Sequence, residues 1–220
     1  LAFAPGYVAK RDGSHVVNVV PAMEDADFDP KVITALKAIG ADLQKHSSGV
    51  SINVVDEQTI VQFMQFAQSV PDHNLPNTII VLVGQRASID RAIQKAAIKS
   101  PAILNPYQDE RSRGEPICLA LVAPKSAAIE TAAERQTIGM VSVYVESGAE
   151  IEPCLYRSLM ASFGLGGQIG PATASMFSNP VKYESPTPLD WDLWRIHTDP
   201  RIRAGMSIDE ALIAAKEIIS

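Results

Sequence analysis

Thr78-Ile79-Ile80-Val81-Leu82-Val83-Gly84 is almost continuously apolar and rich in β-branched residues. A strand with one wet face alternates apolar and polar side chains. An unbroken apolar run bounded by turn residues instead reads as a strand covered on both faces, the centre of a sheet. After it, Ser88 is placed to cap a helix reaching about residue 100, with Ile89, Ala92, Ile93, Ala96 and Ala97 inward. Before it, residues 71–76 are rich in turn formers, and 57–69 predict a short helix with Ile60, Phe63, Met64 and Ala67 inward. Residues 50–55 predict a strand. Asp29 before Pro30 is a strong helix start, and Ile33, Leu36, Ile39 and Leu43 carry that helix to about residue 46. Residues 15–20 predict the first strand.

Toward the C-terminus, the polar, turn-rich stretch 105–116 predicts an exposed loop, and 117–122 a strand. The alanines of 124–136 leave that stretch open between loop and helical turn. Residues 138–146 predict a further strand, and 152–163 a helix with Leu155, Leu159, Met160 and Phe163 on one face, stopped by Gly164. A glycine-rich irregular stretch runs to about residue 188. Helices follow over 190–197 and 207–219, with Asp209 and Glu210 suiting the dipole of the last one. Strands alternate with helices early, and a run of helices closes the chain. The expected fold is a single α+β domain over 1–220, with a mixed sheet and a helical C-terminal part.

The composition excludes some functions. The 220 residues carry a net charge of −6, and the basic residues are scattered, which argues against a nucleic-acid partner. No apolar run approaches the roughly 18–20 residues of a transmembrane helix. No charged-then-apolar leader opens the chain at Leu1, which fits a leader already removed or a trimmed chain. The two cysteines, Cys118 and Cys154, fit one disulfide or two buried thiols equally by count.

Several tempting sites fail on spacing. Asp25, Asp27 and Asp29 resemble the opening of a calcium loop, but Pro30 and Leu36 occupy the positions that require glycine and glutamate. The run Gly164, Gly166, Gly167 and Gly170 follows a helix, whereas a dinucleotide loop follows a strand and opens one. No G-x-S-x-G elbow is present. His15, His46, His73 and His197 are far apart, and each reads as a surface or hydrogen-bonded histidine. No catalytic residue, metal ligand or cofactor-binding residue is expected.

The last third carries a resemblance. Its residues are Cys154-Leu155-Tyr156-Arg157-Ser158-Leu159-Met160-Ala161-Ser162-Phe163-Gly164-Leu165, then Ser175-Met176-Phe177-Ser178-Asn179, then Asp199-Pro200-Arg201-Ile202-Arg203-Ala204-Gly205-Met206-Ser207. This pattern is similar to an exported bacterial family of unknown function, the DUF2927 type, over about residues 115–215. The part before about 115 matches only in its loose strand–helix order.

That family in turn resembles zincin-type zinc peptidases, in which a strand leads into a helix bearing H-E-x-x-H. Histidines four apart share a helix face and meet one zinc, while the glutamate polarises its water. Aligning on Gly164-Leu165 puts Arg157, Ser158 and Ala161 at the three functional positions. Arginine cannot ligate zinc, serine is no general base there, and alanine has no donor atom. The resemblance therefore implies a zincin-like scaffold without its metal.

It also implies a disulfide between Cys118 and Cys154 and a secreted or periplasmic location. A ligand cleft is expected between the helix and an edge strand, lined by Arg157, Ser158, Ala161 and Gln168. Residues 140–146 are taken as that edge, to which a peptide can add by backbone pairing. The partner expected is an unidentified protein or peptide, and the role a non-catalytic binding module of the bacterial envelope. The alternatives are a hydrolase working without zinc, through Asp190, Asp192 or Glu152, and a structural envelope component.

Overall fold

A computed structural model describes residues 7–11, 16–23, 30–55, 77–99, 101–124, 136–166, 173–178 and 183–219. Its strands are β1 (Val16–Met23), β2 (Ser51–Val54), β3 (Thr78–Gly84), β4 (Cys118–Pro124) and β5 (Ile138–Glu146). Its helices are α1 (Pro30–Lys45), α2 (Arg86–Lys99), α3 (Leu104–Ser112), α4 (Ile151–Ser162), α5 (Pro188–Thr198) and α6 (Ile208–Ile219), and a short 3-10 turn (Pro101–Ile103) joins α2 to α3. The strands form one mixed sheet in the order β2-β1-β3-β5-β4. All neighbours are parallel except β4, which runs antiparallel to β5.

The apolar run of β3 does lie at the middle of this order. Ile79, Val81 and Val83 are buried on one face, where they meet Val19 of β1 and Val143 and Val145 of β5. Leu82 faces the other way and is partly buried. Helices cover both faces. On the first lie α1, through Val32, Leu36, Ile39 and Leu43, and α4, through Leu155, Leu159 and Met160. Val32, not Ile33, begins the buried stripe of α1. On the second lie Ile89 and Ile93 of α2 and Tyr107 of α3, packed with Tyr144 of β5. Each fully buried aliphatic side chain contributes roughly 1.5–3 kcal/mol. Trp194 of α5 closes the first layer. It is fully buried, its Nε1 donates to the Leu43 carbonyl at 2.8 Å, and Phe163 meets its ring edge-on at 5.2 Å.

Three expectations require correction. The stretch 105–116 is not a plain loop, because α3 occupies most of it. Tyr107 is the only buried residue of that helix, so it carries no apolar stripe for a period to reveal. Ser88 does not begin α2; the helix starts at Arg86 and Ser88 is buried in its first turn. Most consequentially, residues 140–146 are not a sheet edge. They belong to β5, which pairs with β3 on one side and β4 on the other, so the edge beside α4 is β4. The expected helix 57–69, the open stretch 125–135, His15, His73, the Asp25–Asp27–Asp29 run, Gly167, Gly170 and Gln168 lie outside the described residues.

Candidate functional site

The helix at the centre of the expected site is built by local rules. Four residues separate β5 from α4, so the helix turns straight back over the sheet. Pro153 sits in its first turn, where its missing N–H removes no helical bond. The helix stops at Gly164. The Leu165 amide donates to the Met160 carbonyl at 3.2 Å and the Gly164 amide to the Ala161 carbonyl at 2.9 Å, the paired closure of a Schellman cap. Gly164 has φ +106°, and a β-carbon there would lie 2.0 Å from the Ala9 carbonyl oxygen. Only glycine fits this position. The Gly164-Leu165 pair is thus first of all a helix stop that admits the N-terminal arm.

Arg157, Ser158 and Ala161 line one groove, about 280 Å³, between α4 and β4. Cys118 and Ala120 of β4 form the opposite wall, and Glu110, Arg113, Glu115, Gly166 and Phe177 complete it. Cys118 and Cys154 are joined by a disulfide, with Cα atoms 5.7 Å apart, so the two walls are covalently linked. That separation lies within the range an unforced bridge requires.

The polar groups of this groove are Arg157, Ser158 and the rim residues Glu110, Arg113 and Glu115. Arg157 is partly buried, and its Nε donates to the Pro153 carbonyl of its own helix at 3.3 Å. It has no acidic partner among the described residues. Glu110 is held by Arg113 at 2.9 Å. Ser158 is buried, with its hydroxyl 3.7 Å from the Cys118 sulfur. Its carbonyl accepts from the Ser162 hydroxyl.

Among the described residues the outer edge of β4 is open. The Glu146 amide donates to the Ile117 carbonyl at 2.8 Å, and Cys118 stands opposite Val145. By the alternation of an antiparallel ladder, Leu119 and Leu121 then bond to β5, while Cys118, Ala120 and Val122 direct their N–H and C=O groups away from it. Among the described residues nothing pairs with that side. The sequence reading does not reach the residues of this edge and of the groove's charged rim, because it puts the edge on β5 rather than β4.

The remaining candidate residues do not converge. Asp190 is fully buried at the start of α5. Its carboxylate accepts from the Ser175 hydroxyl, the Met176 amide at 2.9 Å, the Thr187 amide at 2.8 Å and the Thr187 hydroxyl at 2.9 Å. Asp192 is exposed and lies 3.5 Å from Arg195. Glu152 is exposed on the first turn of α4. His46 stacks on Trp191 at 4.3 Å between ring centres. His197 donates from Nε2 to the Phe163 carbonyl at 2.8 Å, which fixes a tautomer, since a carbonyl only accepts. Among the described residues no cluster of three or more histidine, cysteine or acidic side chains could hold a metal ion. No described helix is long and apolar enough to cross a membrane.

No curated protein and no solved structure matches the chain. The profile of one family, described as a protein of unknown function (DUF2927), matches residues 30–216, which takes in the whole groove between α4 and β4; the chain belongs to the DUF2927 family.

Proposed function

We propose that this protein is a non-catalytic binding module whose groove between α4 and β4 takes an extended peptide. The observation that carries the reading is the outer edge of β4, unpaired among the described residues, lying beside Arg157. A peptide strand adds to such an edge through the N–H and C=O groups of Cys118, Ala120 and Val122, and backbone pairing supplies affinity with little demand on sequence. Arg157 supplies selectivity. With a carbonyl of its own helix as its one partner among the described residues, it can form a charge-assisted bond with a carboxylate of the peptide.

The scaffold reading is zincin-like. A strand leading directly into a helix, and a cleft between that helix and an edge strand, are the features such a scaffold requires; here Arg157, Ser158 and Ala161 stand in place of a metal-binding triad. The disulfide supports an oxidising compartment, and with it the secreted or periplasmic envelope. The alternative of a hydrolase working without zinc has less support. Asp190 is enclosed by four hydrogen bonds, while Asp192 and Glu152 are exposed on different helices.

The test is selection of short peptides from a random display library on the oxidised protein, followed by titration of the selected peptides against Arg157→Ala. Acidic peptides that bind the parent and lose roughly fivefold or more in affinity to the variant fit the proposal. Peptides that bind both forms equally, or none that bind at all, contradict it.

A further inference from the structure

A second cavity, about 270 Å³, lies on the far side of α4's C-terminus, where the N-terminal arm passes between the sheet and the segment after α5. Its described lining contains the cations Lys10, Arg11 and Arg203 and no carboxylate. The arm's two cations are tied to carbonyl oxygens. Lys10 Nζ donates to the Asp199 carbonyl at 2.8 Å and the Ile202 carbonyl at 2.6 Å. Arg11 is 5% exposed. Its Nε donates to the Ser162 carbonyl at 3.2 Å, and its Nη2 to the Thr78 carbonyl at 3.2 Å and more weakly to the Gly139 carbonyl at 3.5 Å.

These contacts pin the arm to the end of α4, where the helix dipole favours a cation. They do not neutralise the charge. Among the described residues no acidic side chain pairs with Arg11, and its Nη1 makes no hydrogen bond to them. A buried guanidinium without a counter-charge among the described residues is costly, and Lys10 and Arg203 line the same cavity. The Asp199 carboxylate, the nearest acid to Lys10, is held in a two-pronged pair by Arg201 at 2.9 Å. Glu210, the acid near Arg203, takes hydrogen bonds from the Ser207 amide and hydroxyl and keeps its charge. Neither acid lines the cavity. The rest of the wall is largely apolar, with Phe163 and Ile202 buried.

We infer that this cavity binds a small organic carboxylate, its charged end toward Arg11 Nη1 and Arg203 and its apolar tail against Phe163 and Ile202. The volume lies just under the ~300 Å³ at which drug-sized ligands begin to be held, so the occupant is small. Desolvation, the larger effect, holds the Lys10 ammonium down at about 8 against the attraction of Asp199. An anion bound there would raise it. The inference is independent of the peptide groove, which lies against β4 and shares no described lining residue with this cavity.

The experiment is calorimetric titration of the oxidised protein with butyrate and, separately, with inorganic phosphate, at fixed ionic strength set by sodium chloride. The variant is Arg203→Ala, chosen because Arg203 is exposed and its loss leaves the pinned arm intact. Arg157→Ala serves as a control. The expected result is saturable one-to-one binding of butyrate, weakened roughly fivefold or more by Arg203→Ala and unchanged by Arg157→Ala. No saturable binding, or binding indifferent to Arg203→Ala, would overturn the inference. Phosphate binding without butyrate binding would overturn the assignment to carboxylates.

Discussion

Cys118 and Cys154 bind the edge strand of the sheet to the first turn of α4, with their Cα atoms 5.7 Å apart. The bond spans 36 residues of chain, including all of β5, so it restrains the unfolded state as well as the width of the groove. In the chain-entropy account a loop of that length contributes about 3–4 kcal/mol. The Cys118→Ala/Cys154→Ala variant is expected to lose stability of that order in urea unfolding. The unreduced, denatured parent is expected to show no reactive thiol. An equal midpoint for parent and variant, or two thiols per chain without reductant, would contradict the bridge.

Asp190 and Asp192 separate structural from surface acidity on one helix. Asp190 is part of a capping box with Thr187 and also holds the 175–176 turn, so its removal leaves several buried donors without an acceptor. Asp190→Ala is expected to cost on the order of 3 kcal/mol or more. Asp192→Ala is expected to cost within about 0.5 kcal/mol, as for an exposed ion pair. Chemical denaturation of both variants measures the difference; equal losses would contradict the assignment.

Acid should weaken the protein through His197 before it reaches the carboxylates. Desolvation, aided by the charge of Lys10 and opposed by the hydrogen bond to Phe163, lowers the His197 imidazole from 6.5 to about 4. The unfolded chain then takes up this proton near 6.5 while the folded chain resists until about 4, so stability falls as pH drops through that interval. The loss from this one group is about 2 kcal/mol between about pH 7.5 and about pH 5. His197→Gln is expected to show a correspondingly smaller slope in unfolding free energy over that range. Asp199 acts lower down. Arg201 holds its carboxylate at about 2, so its contribution is lost only as pH falls from 3.8 toward that value. Identical slopes for parent and His197→Gln would contradict the first statement.

The residues at the metal positions make a chemical prediction. Arg157, Ser158 and Ala161 offer no imidazole and no carboxylate, so α4 cannot hold zinc in the manner of a zinc peptidase. Protein dialysed against zinc and then against metal-free buffer is expected to retain none in stoichiometric amount, and to cleave no peptide in a chelator-sensitive way. About one zinc per chain, lost together with peptidase activity on chelation, would contradict this.

The sequence revealed elements better than arrangement. β3 and β5 were legible because β-branched runs bounded by turn residues leave few alternatives, and α4 because its apolar face repeats at helical spacing. The family segment is legible above all in Asp199–Ser207, and the end of α4 in Phe163-Gly164-Leu165, whose glycine has a backbone requirement no other residue meets. The edge of the sheet was not. β4 and β5 are both apolar, and which of them has an open side depends on pairing with β3, a contact between residues some sixty positions apart that no local pattern records. α3 was lost because one buried tyrosine makes no period. Lys10 and Arg11 carry no local signal of their place in the fold, since the carbonyls that hold them lie 67 to 192 residues away.

The central claim is that the open edge of β4 receives a peptide. Residue-resolved amide exchange tests it most directly, with and without an acidic peptide selected on the oxidised protein. In the free protein the account predicts fast exchange at Cys118, Ala120 and Val122 and slow exchange at Leu119 and Leu121, because only the latter pair with β5. With peptide bound, Ala120 and Val122 should become protected, and Arg157→Ala should abolish that protection at peptide concentrations that saturate the parent. Unchanged exchange along β4 with the peptide demonstrably bound would contradict the account.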